Sequence, residues 1–357
     1  MPPPIFRVND TRESFVMQEG SLRSVSALAA AGLIPEGQAA GLHAVAARYA
    51  VAITPNMVRI IDTGKPDDPI ARQFVPTAAE LITTPDERAD PIGDDAHSPV
   101  KGIVHRYPDR VLLKALHACP VYCRFCFRRE QVGPGGEMLS DDEIRAAIAY
   151  ISDHPAIWEV ILTGGDPLML SPRRLGALLD ALEAIPHVAT LRIHSRVPIV
   201  EPARIGPALL AVLTRRKPIW IAVHSNHPRE LTEAAKAACR SLTRAGATLL
   251  GQTVLLRGVN DDPAILEALF RAMVAERIKP YYLHHPDLAP GTAGFRLSIA
   301  EGREIMRVLR GRLSGLAQPT YVLDIPGGAG KVPIGPDMIE PGGVRDSAGR
   351  LHPYEQD

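Results

Sequence analysis

The stretch Cys119-Pro-Val-Tyr-Cys123-Arg-Phe-Cys126 decides how the rest of the chain is read. Three thiols in a C-x3-C-x2-C run let one loop hold three irons of a cubane cluster and leave the fourth iron open. An open iron is what a cluster needs if it must bind and reduce a ligand rather than only carry electrons. A structural zinc site using these cysteines with His117 is the bland alternative, but such sites take a second ligand pair downstream, and none follows here. The fourth cysteine, Cys239, lies within a helical pattern and reads as a buried packing residue. Clustered thiols suit metal binding in a reducing compartment better than a disulfide framework.

Working outward, the loop follows a short β-rich run, Val111–Leu116. Five more runs recur downstream: Glu159–Thr163, Thr190–His194, Ile219–Val223, Thr248–Val254 and Pro280–Leu283. Helical patterns with legible starts lie between them. Ser140 stands three before Glu143, a capping box, and Ile144, Ile148 and Ile151 then share a face. Ser171 caps the next helix with Pro172 at its first position. Gly246 marks a left-handed end for the helix Glu230–Ala245, and another helix spans Ser298–Leu309. Six β–α units with right-handed crossovers predict an α/β fold, a parallel sheet curved into a partial (β/α)6 barrel, with chemistry at the C-terminal strand ends.

Upstream, Ala-rich Ser24–Val51 predicts one or two packed helices, and Pro66–Pro99 reads as irregular connection. The expected organisation is an N-terminal helical region and connector over 1–100, the barrel over 101–315 and a C-terminal segment over 316–357. Of 357 residues, 46% are hydrophobic, enough for a sizeable core, and Lys+Arg and Asp+Glu both number 40. That balance gives no sign of nucleic acid or an anionic membrane as partner. No apolar run approaches the roughly 20 residues of a spanning helix. Met1-Pro2-Pro3-Pro4 lacks the layout of a signal peptide, so a soluble, cytoplasmic protein is expected.

The cysteine loop after strand one, with Thr163-Gly164-Gly165-Asp166-Pro167 ending strand two, resembles the radical S-adenosylmethionine (SAM) superfamily. That resemblance implies a [4Fe–4S] cluster on Cys119, Cys123 and Cys126. It also implies reductive cleavage of SAM to a 5′-deoxyadenosyl radical, with Gly164, Gly165 and Asp166 receiving the methionine amino group. A second motif, Leu323-Asp324-Ile325-Pro326-Gly327-Gly328-Ala329-Gly330-Lys331, fails as a Walker phosphate loop, because Ile325 and Val332 replace the required Gly and Ser/Thr. It is similar to the P-G-G-G-G-K motif of lysine 2,3-aminomutases, with Ala329 in place of one glycine. The likeness runs from about Arg106 through Lys331.

By that match Lys331 is the catalytic lysine that carries pyridoxal phosphate. Arg106 and Arg110 correspond to arginines at the cofactor phosphate, and His284 stands where the family has a tyrosine. His224 and Gln252 correspond to SAM contacts, and Ser195 and Arg196, which follow the third strand, are further SAM-site candidates. Arg128 matches the arginine that grips the substrate carboxylate, and Asp287 and Asp324 match the pair that embraces the ε-ammonium of lysine. Glutamate-using relatives replace those acids with residues such as Lys and Asn. The implied reaction is amino migration from C2 to C3 of L-lysine, giving β-lysine, with flavodoxin or ferredoxin as electron donor and a homo-oligomeric enzyme.

Two settings fit the resemblance. Cys123-Arg-Phe-Cys126-Phe-Arg-Arg, Ile185-Pro-His-Val, Leu191-Arg-Ile-His-Ser-Arg and the short segment after Lys331 resemble the branch that modifies elongation factor P, and this is the expected one. Retention of both aspartates resembles enzymes that make free β-lysine. The rivals are a related amino acid 2,3-aminomutase, a nucleic-acid-modifying radical enzyme that leaves Lys331 without purpose, and an iron–sulfur sensor.

Overall fold

In the computed structural model, which describes residues 20–354, the wall of the molecule is one nine-stranded sheet. Strands β1 (Ile103–Tyr107) and β2 (Arg110–Leu116) form an antiparallel hairpin. From β2 the pairing turns parallel through β3 (Glu159–Gly164), β4 (Thr190–Ser195), β5 (Ile219–His224), β6 (Thr248–Val254), β7 (Ile278–His284) and β8 (Thr320–Ile325). Strand β9 (Gly330–Pro333) folds back antiparallel onto β8. The strands lie in chain order, so each crossover joins neighbours. All six expected strands are present, and β1, β8 and β9 extend the sheet on both sides. Strands β10 (Ile339–Glu340), β11 (Gly343–Arg345) and β12 (Leu351–His352) form a separate small meander that no sequence signal marked.

Four helices precede the sheet: α1 (Val25–Ala30), α2 (Ala39–Arg48), α3 (Pro55–Val58) and α4 (Ala71–Phe74). The outer layer is α5 (Asp141–Ser152), α6 (Pro172–Glu183), α7 (Val197–Val200), α8 (Pro207–Leu213), α9 (Glu233–Arg244), α10 (Pro263–Ala275) and α11 (Ile299–Arg312). Helix α5 starts in a complete capping box of Ser140 and Glu143, and Ser171 caps α6 ahead of Pro172. Thr232 rather than Glu230 caps α9, and Gly246 beyond its end has φ +97°. No described helix is long and apolar enough to cross a membrane.

Strand alternation sorts the residues into two faces. Val111, Leu113, Val160, Leu162, Leu191, Ile193, Ile219, Ile221 and Val223 are buried with the apolar faces of the outer helices in one core. That core also takes in Val45, Ile53 and Phe74 from the N-terminal layer. The register puts Arg110 beside Glu159, Lys114 beside Thr163, His224 beside Gln252 and Asp324 beside Lys331 on the opposite, polar face. That face lines the inside of the curved sheet.

Stretch 66–99 is more than a connector. Besides α4 it holds two 3-10 turns, Ala78–Leu81 and Asp95–His97, and delivers Gln73, Glu80 and Asp94 to buried positions at the strand ends.

Candidate active site

The C-terminal strand ends gather almost every residue singled out from sequence. The cysteine loop leaves β2, Gly165-Asp166 follow β3, Arg196 follows β4, His224 ends β5, Gln252 lies in the last half of β6 and His284 ends β7. Asp287 lies just beyond β7, and Asp324 and Lys331 face each other on β8 and β9.

Glycine has a specific task at two of these turns. A Cβ on Gly165 would sit 2.3 Å from the carbonyl oxygen of Ala118, and one on Gly164 (φ +110°) 2.6 Å from that of Leu116. The pair therefore lets the end of β3 press against the cysteine loop. Asp166 then ties β3 to β4: its carboxylate accepts from Ser195 Oγ (2.8 Å) and from the backbone N–H of Arg196 (2.7 Å), Val197 (3.1 Å) and Leu168 (3.1 Å). Asp166 and Ser195 are thus engaged with one another rather than pointing outward from the turn.

Burial pushes up the thiols of Cys119, Cys123 and Cys126, the last to about 12; Cys123 and Cys126 add to the rise at Cys119, and Cys123 to that at Cys126, so the three lie close together. Arg196 reaches in with Nη1 2.8 Å from Cys123 Sγ, while Nη2 donates to Gln73 (2.6 Å) and Glu230 (3.0 Å). Phe125 packs edge-on to His224, whose imidazole is held well below its ordinary pKa by burial and by Arg196. Among the described residues no three His, Cys, Asp or Glu side chains close on a single ion. A cubane spreads its thiolates over separate irons and needs no such convergence.

The second half of the site surrounds Lys331. Its ammonium pairs with Asp324 Oδ2, lies 3.3 Å from His284 Nδ1, and stands 5.7 Å from the centre of the Tyr282 ring. Its backbone N–H donates to Tyr107 Oη at 2.7 Å, and Arg110 stacks over that same tyrosine at 3.8 Å. Asp324 is held down to about 2, against its burial, by the Lys331 ammonium that pairs with it and by the nearby His284. Asp287 goes the other way: burial and the neighbouring Asp324 push its carboxyl up to about 7, with Lys331 and Arg128 opposing. Gly327, Gly328 and Gly330 turn the chain at φ +86°, +93° and +105°, whereas Ala329 is not in the left-handed region, so its methyl is accommodated.

Asp94 links the two halves, and no sequence signal marked it. This buried carboxylate accepts from Arg128 Nη2 (2.8 Å) and Nε (3.3 Å), and pairs with Arg106 (3.2 Å) and Lys114 (3.7 Å). Arg128 is close enough to lower the pKa of Cys119 and Cys126 on one side and of Asp287 on the other. Arg128 thus lies between the thiols and the acidic pair beside Lys331. The inward alternation Thr190, Arg192, His194 on β4 is a sequence pattern that marks two further lining residues. Arg192 pairs with Glu159 at 3.0 Å, and His194 is kept neutral by burial and by the charge of Arg192.

Two family models match the chain: the radical SAM superfamily over residues 114–269 and lysine-2,3-aminomutase over residues 306–343. The L-lysine 2,3-aminomutase of Acetoanaerobium sticklandii is 44% identical over 81% of this chain and 70% of its own length. The chain belongs to the lysine 2,3-aminomutase family. The L-lysine 2,3-aminomutase of Escherichia coli is 40% identical over 80% of this chain and 83% of its own. The glutamate 2,3-aminomutase of Clostridioides difficile is 37% identical over 83% and 70%. Membership of the lysine 2,3-aminomutase family makes this protein an isomerase, with a [4Fe–4S] cluster, SAM and pyridoxal phosphate as cofactors.

The residues present fit those groups. Burial keeps the free thiols protonated, while the Arg196 guanidinium against Cys123 favours its thiolate, and bound iron would take all three to thiolates. Among the described residues, these buried polar atoms have no hydrogen-bond partner: Arg106 Nε, Arg196 Nε, His194 Nε2, Ser225 Oγ and His284 Nε2. Buried polar atoms are normally satisfied, so such a set marks a space built for polar ligands. The local positive charge that an anionic phosphate requires is supplied by Arg106, Arg110 and Lys331.

Proposed function

We propose that the protein converts L-lysine to β-lysine by moving the α-amino group to C3. The observation that carries this reading is the charge balance around Lys331. Asp324 pairs with the Lys331 ammonium, Asp287 lies within the field of both, and the Asp287 carboxylate accepts no hydrogen bond from any described residue. A distal ammonium on the substrate completes the balance and restores Asp287 to its ionised form. A glutamate side chain would instead bring a third carboxylate to an acidic corner.

Arg128 takes the other end of the substrate. Asp94 occupies its Nε–Nη2 edge, which leaves Nη1 and the outer edge for a carboxylate. Carboxylate and ammonium are thus fixed at opposite ends, and the carbons between them lie along the opening shared with the thiols. Cys119, Cys123 and Cys126 would hold the cluster, with SAM beside Arg196, His224 and Gln252. Lys331, Arg106, Arg110 and His284 would hold pyridoxal phosphate. Bound there, the cofactors supply hydrogen-atom abstraction and an unsaturated partner for the migrating nitrogen. The protein's own part is to orient the substrate by its two charges and to keep water from the opening.

The setting we infer is modification of elongation factor P, supported by the likeness of the segments around Cys126, Ile185 and Ser195 to that branch. Reconstituted protein given lysine, SAM, pyridoxal phosphate and dithionite tests the reaction. β-Lysine in the product confirms it. 5′-Deoxyadenosine without β-lysine refutes the substrate, and neither product despite an intact cluster refutes the catalytic reading. Loss of elongation factor P modification on deleting the gene tests the setting.

A further inference from the structure

An ammonium has no lone pair with which to attack an aldehyde, so Lys331 must give up a proton before it can bond to a cofactor. Asp324, its ion-pair partner, is a poor acceptor, since its carboxyl is held down to about 2. His284 is better placed. Its Nδ1 lies 3.3 Å from Lys331 Nζ but 3.9 Å from Asp324 Oδ2, beyond hydrogen-bond reach. Nδ1 therefore meets the lysine as a lone pair, and the ring hydrogen sits on Nε2, which is buried without a partner among the described residues.

The surroundings favour a neutral ring at the start. Burial and the charge of Lys331 hold the imidazole below its ordinary pKa. The groups that face it are Lys331 on β9, Asp324 on β8, Tyr282 on its own strand, His194 on β4 and His224 on β5, and both of those histidines are also kept neutral by burial. Tyr282 fixes the ring edge-on, with centroids 5.6 Å apart.

We propose that His284 is the proton carrier for formation of the covalent bond between Lys331 and the aldehyde of its cofactor. Nδ1 takes a proton from the ammonium, and the freed electron pair forms the C–N bond. The aldehyde oxygen then leaves as water. Of the three hydrogens on the ammonium, two depart in that water and one stays on nitrogen; His284 carries the first of them across and ends neutral. Ammonium plus aldehyde gives protonated imine plus water, so no oxidant, reductant or co-reactant is needed. The Nε2–H remains free to donate to an anionic oxygen. This inference rests on Lys331 being the cofactor lysine.

Cofactor-free protein mixed with pyridoxal phosphate provides the test, read as the rate at which the absorption of lysine-bound cofactor appears. Borohydride reduction followed by peptide mass mapping locates the adduct. In His284→Asn the rate at neutral pH is expected to fall on the order of 10²-fold, with the same final adduct on Lys331. Raising the pH and adding free imidazole should each recover part of that rate. Loading at the wild-type rate overturns the proposal, as does slow loading that neither imidazole nor pH changes, which is how a packing role would behave. If the variant does not fold, the wild-type protein still decides: loading unchanged between H2O and D2O overturns the proposal, and slower loading in D2O supports it. Lys331→Ala separates the two readings, because an adduct formed without Lys331 defeats the lysine assignment and leaves nothing for His284 to serve.

Discussion

Asp287 carries the residue-scale conflict between stability and function. Its folded-state value, about 7, lies above the ordinary carboxylate range, so the folded protein binds that proton more tightly than the unfolded chain does. Stability from this group is full below about pH 4 and declines as the pH rises towards 7. Asp287→Asn removes the decline, and the ligand-free variant is expected to melt about 2–4 °C higher than wild type at pH 8, with no gain at pH 4. The same substitution should abolish lysine turnover. An equal Tm at both pH values would show that the carboxyl is not strained. Asp94 sets the opposite expectation, because it stabilises three cations. Removing a charge-assisted bond worth about 1.5–3 kcal/mol should raise the KM for lysine about 10-fold or more in Asp94→Asn, with a smaller loss in kcat. A variant with unchanged KM would show that Arg128 needs no such brace. Lys331, Asp324 and Asp287 were legible because each sits in a motif. Asp94 was not, because an acid in an irregular stretch has neither periodicity nor spacing to mark it, and its partners come from β1, β2 and the cysteine loop.

At the scale of elements, the cysteine loop is held from outside the barrel. Arg124 and Arg129, which bracket Cys126 and are almost wholly buried, both pair with Glu80, and Arg129 Nη1 also reaches the carbonyl oxygens of Pro290 and Gly291. Breaking a buried pair by removing one partner costs about 3–5 kcal/mol, because the remaining charge has no water to return to. Glu80→Gln is expected to lower the denaturant midpoint accordingly and to reduce iron bound per chain after reconstitution. Full iron content at an unchanged midpoint would show the loop to be self-supporting. Six of the seven parallel strands were legible because apolar runs and capped helices alternate with clear boundaries. The inner face was equally available in the alternation of β4, yet polar residues at every second position in a strand ordinarily signal solvent. Only closure of the sheet turns that face inward.

For the whole molecule, a net charge of zero conceals a strongly polar interior, and the same concealment applies to the N-terminal layer. Its Ala-rich helices and Pro-rich stretch give no sign of how firmly they attach, since attachment is made by scattered single contacts. Asn56 Nδ2 donates to the carbonyl of Ile199 (3.0 Å), Arg72 to those of Arg257 and Gly294 (both 2.8 Å), and Gln73 to Glu230 (2.7 Å). Arg229 pairs with Asp68 at 2.5 Å, and the backbone N–H of Tyr122 donates to Ala52 at 2.9 Å. Ile53, Met57 and Phe74 meanwhile share the core of the barrel. If this layer left first, Arg124, Arg129 and Arg196 would each lose an acid or amide partner while still buried, so separation should be no easier than global unfolding. Scanning calorimetry of the full chain is expected to show one transition, with near-ultraviolet and far-ultraviolet signals lost together. An earlier, separate transition that leaves the barrel's signal intact would show that the layer is a detachable cover, and that Asp94 and Glu80 reach the site only while it is closed.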